Sequence, residues 1–251
     1  MKKKAYNLIV IVSILIMLLT GSVFASSEAN LSPYQKGLNY FRAGNYEAAV
    51  GQLVEAVAEN PDLMYPHYIL GLTYYRLGKV EFAETQLKQA HEINPKHYRV
   101  MVNLARTYLK EDKLNEAVNI LKESIVANGR QDDAYNVLGR AYMNQGNLSE
   151  AIINYKKAVE FAPNNYYALN NLGLAYIQSG QYSQAIPVLK QATKLKPSLP
   201  YLYNNLGISY ENIGQLDNAK AAYQKALAVN PNYSKAKVNL NRVSRLIESK
   251  K

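Results

Sequence analysis

The chain has no cysteine and no tryptophan among its 251 residues, and only three histidines, His67, His91 and His97. Without cysteine there is no disulfide framework, no thiolate nucleophile, no cysteine-ligated zinc and no lipid-bearing cysteine. The folded part must therefore hold together by packing alone. The histidines stand in one stretch, none beside a paired acid, a glycine-rich phosphate loop or a nucleophile elbow. His91 and His97, six apart across Pro95, are poorly spaced for a shared metal, so the three read as surface or turn residues. No Ser/His/Asp set can be nominated either, and the expectation is a non-enzyme with no catalytic residue, no metal and no cofactor. Acids are scarce as well: 19 Asp and Glu face 29 Lys and Arg, for a net charge of +10.

A long apolar run occurs only at the amino end, where Lys2, Lys3 and Lys4 precede the stretch from Leu8 to Leu19 and Val23-Phe24-Ala25 follows. Basic, then apolar, then small is the pattern of a secretory signal, which places residues 1–25 as a leader and 26–29 as a short linker. The rival reading is an uncleaved anchor, but Ser13 interrupts the run and Thr20, Gly21 and Ser22 close it before the roughly 20 apolar residues that a span needs. Cleavage would remove three lysines and no acid, lowering the net charge from +10 to +7. The expected location is periplasmic or secreted, with membrane contact only through this segment if it stays uncut.

What the rest of the chain does have is a period. Proline stands at 61, 95, 163, 197 and 231, and the gap in that series at 129 holds Gly129, so the step is 34 throughout. Six units without insertion fill 30–233: 30–63, 64–97, 98–131, 132–165, 166–199 and 200–233. Numbered within the unit, position 8 is Gly37, Gly71, Ala105, Gly139, Gly173 or Gly207, and position 11 is always tyrosine. Position 20 is always alanine, and position 27 is alanine except for Ser124.

Positions 4, 7, 8 and 11 follow the i, i+3, i+4, i+7 spacing of one helical face, as in Leu169, Leu172, Gly173 and Tyr176. Glycines at 44, 78, 146, 180 and 214, with Asp112 in the third unit, would end each first helix where positive φ is required. A second apolar stripe, Ala185, Leu189 and Ala192 in the fifth unit, stops at Pro197. Small residues at 8, 20 and 27 let helix axes approach closely, and the tyrosine at 11 is expected to pack beside them as core. These residues together resemble the tetratricopeptide repeat, a 34-residue pair of antiparallel helices. The resemblance implies an all-α, right-handed solenoid of helix pairs, with 234–251 as a C-terminal capping helix whose Leu240, Val243 and Ile247 face inward. Ser32 and Pro33 suit the start of the first helix, whereas Pro187, inside the second helix of unit five, should bend it.

In such an array positions 2, 6, 9 and 13 of each first helix share a stripe facing the hollow of the solenoid. Candidate contacts there are Tyr65 in the second repeat and Arg99, Asn103, Arg106 and Lys110 in the third. Later units and the cap add Arg140, Tyr167, Asn171, Tyr201, Asn205 and Asn239, with Asn136, Asn170 and Asn204 at the bordering position 5. A side-chain amide offers donor and acceptor together and can pair with an extended peptide of any sequence. The pattern is similar to the asparagine ladder in the repeat region of O-GlcNAc transferases, although Gln35, Ile69 and Val137 interrupt it. The basic set Arg99, Arg106, Lys110 and Arg140 would suit acidic side chains or a terminal carboxylate, unless Asp133 neutralises part of it.

The family's carboxylate clamp on chaperone tails is not supported, because position 9 is never asparagine. Lys88, Lys122, Lys156, Lys190 and Lys225 fall on the second helices, the convex side, and are read as merely solvated, so no nucleic acid is expected as partner. The resemblance implies an envelope scaffold that holds a protein or peptide segment. The alternatives are an envelope polysaccharide or anionic-polymer binder, or an outer-membrane or pilus assembly factor.

Overall fold

A computed structural model describes residues 31–249. The expected leader and linker lie outside them. Among the described residues there are 13 helices and no strand, and no helix is long and apolar enough to cross a membrane. Two compact units result, divided after Pro95. The first holds α1 (Pro33–Arg42), α2 (Tyr46–Glu59), α3 (Met64–Arg76) and α4 (Val80–Ile93). The second holds α5 (Tyr98–Lys110), α6 (Leu114–Ala127), α7 (Asp132–Asn144), α8 (Leu148–Phe161), α9 (Tyr166–Gln178), α10 (Tyr182–Leu195), α11 (Pro200–Asn212), α12 (Leu216–Val229) and α13 (Ser234–Glu248). Each 34-residue repeat is thus one helical hairpin, and within each unit successive hairpins pack on one another.

The helix boundaries follow local chemistry. Ser32 caps α1 through the Gln35 amide, the Gln35 side chain accepts from the Ser32 N–H in return, and Pro33 takes the first helical position. The first helices end in a left-handed residue, glycine in five repeats and Asp112 (φ 58°) in the third. Pro187 does not interrupt α10, which runs the same 14 residues as the other second helices. Its ring lies on the exposed face, where water can satisfy the Ser183 carbonyl that loses its donor.

Within a hairpin, the small residue at position 8 receives the large side chain at position 24. A Cβ added to Gly173 would sit 2.6 Å from the Leu189 side chain, and one added to Gly139 would sit 2.7 Å from the Tyr155 ring. The alanines at 20 and most residues at 27 are fully buried in the same seam, including Ala151, Ala185, Ala192 and Ala219. In the third repeat Ser124 takes the alanine's place; its hydroxyl donates to the Tyr98 carbonyl at 3.2 Å, and the buried Gln131 amide donates to the Ser124 carbonyl. Repeat three therefore closes with polar bonds where its neighbours use alanine and proline.

Three expectations are corrected here. The tyrosines of position 11 are not uniformly core: Tyr40 is 41% exposed and Tyr74, Tyr108 and Tyr142 half-buried, and only Tyr176 and Tyr210 are buried. The most deeply buried tyrosines are Tyr155 and Tyr223 at position 24, where other repeats have leucine. The second-helix lysines are not merely solvated. Lys122, Lys156 and Lys190 place their ammonium groups 6.0, 5.9 and 5.7 Å from the ring centres of Tyr142, Tyr176 and Tyr210, the position-11 tyrosines of the following repeat. That contact joins the second helix of one repeat to the first helix of the next, over the buried Tyr176 and Tyr210 as well as the half-buried Tyr142. His67, finally, is no surface residue: it is buried, donates from Nε2 to the Pro61 carbonyl at 2.9 Å and has Nδ1 2.8 Å from the Gln86 side-chain amide, tying α3 to α4.

Candidate functional site

In the second unit the first helices α5, α7, α9 and α11, with α13, stand side by side and form a wall. What locks the last four of them is a set of asparagine pairs. Asn171 Nδ2 donates to Asn136 Oδ1 (3.0 Å), Asn205 to Asn170 (3.1 Å) and Asn239 to Asn204 (3.0 Å). Each bond joins position 6 of one repeat to position 5 of the repeat before it, a separation of 35 residues. Asn136, Asn170, Asn171, Asn204 and Asn205 are all between 3% and 9% exposed, and Asn239 is half-buried. Burial makes these bonds matter, because an amide left unpaired there keeps its full desolvation cost. Where the third and fourth repeats meet, the same two positions hold Val102 and Val137, both buried, so polarity is matched at each junction.

The asparagines at position 6 are therefore spent mainly on their neighbours, which residue spacing alone did not reveal. Asn103 also bonds within its own helix: its Nδ2 donates to the Arg99 carbonyl at 2.8 Å and its Oδ1 accepts from Arg106 Nη1 at 3.1 Å. Arg106 also forms an ion pair with Asp133 across α5 and α7. Of the two readings of the basic set, local neutralisation thus holds for Arg106.

The remaining predicted residues spread over the wall. Arg99 and Lys110 are exposed at the two ends of α5, Arg99 lying against the Tyr98 ring with its Nε donating to the phenol oxygen at 3.1 Å. Arg140 is half-buried on α7, where its charge opposes the effect of burial, which drives the Tyr155 hydroxyl far above the ordinary tyrosine range. Tyr167 is 44% exposed on α9 and Tyr201 half-buried on α11. Burial first, then the neighbouring Tyr166 and Tyr167, raise the pKa of Tyr201. Tyr65, 54% exposed, stands on α3 of the first unit. The wall thus offers guanidinium groups at one end and phenol rings toward the other, on a backbone whose own polar groups are closed in helices. Among the described residues no group of His, Asp or Glu is placed to hold a metal ion.

Family models described as TPR repeat and tetratricopeptide repeat match residues 37–78, 78–141, 139–180, 173–214 and 200–233. The chain belongs to the tetratricopeptide repeat family. Comparison with curated proteins gives no match. Solved tetratricopeptide structures agree with the fold. TTC0263 of Thermus thermophilus is 29% identical, with a TM-score of 0.57 over 72% of this chain and 98% of its own. YrrB, described as a TPR protein with an unusual peptide-binding site, is 18% identical, with a TM-score of 0.61 over 73% of this chain and 95% of its own. Pseudomonas aeruginosa pilF is 16% identical and aligns with a TM-score of 0.71 over 84% of this chain and 96% of its own. Like other tetratricopeptide proteins, this chain is built as a protein-interaction scaffold.

Proposed function

We propose that this tetratricopeptide protein is a non-enzymatic scaffold that works outside the cytoplasm and holds an extended protein segment along the first-helix wall of its second unit. The observation that carries the reading is the locked wall itself. The asparagine pairs fix the spacing of α7, α9, α11 and α13, and the Arg106–Asp133 ion pair joins α5 to α7, so the cations of α5 and α7 and the phenol rings of α9 and α11 are presented on a surface that need not reorganise to bind. Arginine and tyrosine are the residue types that carry most energy at such surfaces. A peptide-binding relative of the same fold, YrrB, is consistent with this use. Export rests on the basic and apolar pattern of residues 2–25. Amino-terminal sequencing of the mature protein should begin at Ser26, and an intact Met1 would return the anchor reading.

The binding test is site-specific crosslinking in the native cell envelope. A photoreactive residue in place of Tyr167 or Tyr201 should capture one discrete protein, and the same probe at the exposed Glu123 on α6 should not. Arg99→Ala with Arg140→Ala should weaken the isolated pair about tenfold or more, since charge-assisted bonds to a segment contribute about 1.5–3 kcal/mol each. Capture that is as strong from Glu123, or binding untouched by the double substitution, rules out the wall as the site.

A further inference from the structure

A second surface of the same unit has a composition that the repeat pattern does not call for. Between α10 and the following α11–α12 hairpin lies a groove of about 610 Å³, within the range of small binding clefts. Leu206, Tyr203, Tyr210 and Ala222 line its floor, and Lys190, Lys194 and Lys225 stand on its rim. All three lysines are exposed, and Lys190 lies 5.7 Å from the centre of the Tyr210 ring.

The preceding repeat junction serves as an internal comparison, since the same positions recur there. Where the groove has Lys194 and Lys225, the junction between repeats four and five has Glu160 and Gln191. Glu160 there is paired with Lys157 at 2.8 Å. Where the groove has Ala221 and Ala222, that junction has Pro187 and Val188. Relative to that junction, small residues open the floor here, and the acid that would neutralise the rim is replaced by a base. The deficit of acid is regional: the chain has no Asp or Glu between Glu160 and Glu211. Glu211 is itself engaged by Arg242 and Tyr223, and neither it nor Asp217 lines the groove.

An apolar floor beneath three cations selects a ligand with both features. We propose that this groove on the second-helix side docks a short acidic peptide segment, an apolar side chain seated over Leu206 and Ala222 with flanking carboxylates on Lys190, Lys194 and Lys225. It is a site separate from the first-helix wall, and it fits a partner that grips the scaffold from outside while a segment lies along that wall.

The test is fluorescence anisotropy on the full-length mature protein with a labelled synthetic peptide carrying two leucines between paired Asp and Glu residues. Saturable binding that weakens with salt is expected, with a loss of about tenfold or more in Lys194→Gln/Lys225→Gln. Ala221→Leu, at an exposed position that leaves folding intact by circular dichroism, should also weaken it by filling the groove. Lys156→Gln, which removes the matching charge one repeat earlier, should leave affinity unchanged, and so should Arg99→Ala/Arg140→Ala on the first-helix wall. The proposal is overturned if the Asn/Gln version of the peptide binds as well, if replacing its leucines by alanine changes nothing, or if Lys156→Gln costs as much as the Lys194/Lys225 pair. It is equally overturned if only vesicles containing anionic lipid, and not the peptide, are bound through these lysines.

Discussion

At the scale of single residues, the asparagine pairs are the contacts whose energetics differ most from their appearance. Asn136 and Asn171 look like groove residues in the sequence, yet together they form one buried bond of 3.0 Å between α7 and α9. Breaking one side is costly because the survivor stays buried with an unpaired amide; replacing both with apolar groups removes the need altogether. The protein already contains the replacement, Val102 and Val137, one junction earlier. Asn136→Val and Asn171→Val should therefore each destabilise the second unit by about 1–3 kcal/mol, while the double substitution costs less than either alone. Urea unfolding of the three variants measures this, and simple additivity of the two single effects would show that the amides do not act on each other.

At the scale of elements, the capping helix α13 shows how an end is attached. Val243 is fully buried and Leu240 and Ile247 pack beside it, as the spacing in the sequence predicts. The polar half of the attachment was not legible, because it joins residues far apart in the chain. Arg242 grips Glu211 of α11 with two bonds of 2.7 and 2.8 Å, and Tyr223 of α12 donates to the same carboxylate at 2.7 Å. Burial acts to raise the pKa of Glu211, but the bonds from Arg242 and Tyr223 outweigh it and hold the carboxyl below its ordinary value of 4.5. A carboxylate depressed by folding stabilises the folded state fully above that ordinary value, and its contribution fades as pH falls through the depressed one. Arg242→Ala should thus lower the melting temperature at pH 7, by an amount corresponding to at most about 1 kcal/mol for so exposed a cation. The gap between variant and parent should close once the pH lies below the depressed pKa of Glu211 and the carboxyl has taken its proton. A gap that persists at that pH would mean that Arg242 acts through packing of its stem, not through the carboxylate.

At the scale of the whole molecule, the periodic features were legible and the features linking one period to the next were not. Gly173 opposite Leu189 and the left-handed Gly180 recur at fixed intervals, so spacing exposes them. Lys156 over Tyr176 and Asn205 on Asn170 pair different positions of adjacent repeats, and no single repeat contains either contact. The same locality governs how the second unit responds to damage, since a stacked array is stabilised by terms within each hairpin and between nearest neighbours. Gly139→Ala and Gly207→Ala each drive a Cβ into a buried tyrosine ring, Tyr155 and Tyr223, two repeats apart. Each should cost about 1–3 kcal/mol by overpacking. Because their hairpins are not adjacent, the double variant should equal the sum of the singles within about 0.5 kcal/mol in urea unfolding, in contrast with the coupled asparagines of α7 and α9. A coupling above about 1 kcal/mol between the two glycine sites would show that strain passes through the intervening α9–α10 hairpin, and nearest-neighbour accounting of this unit would fail.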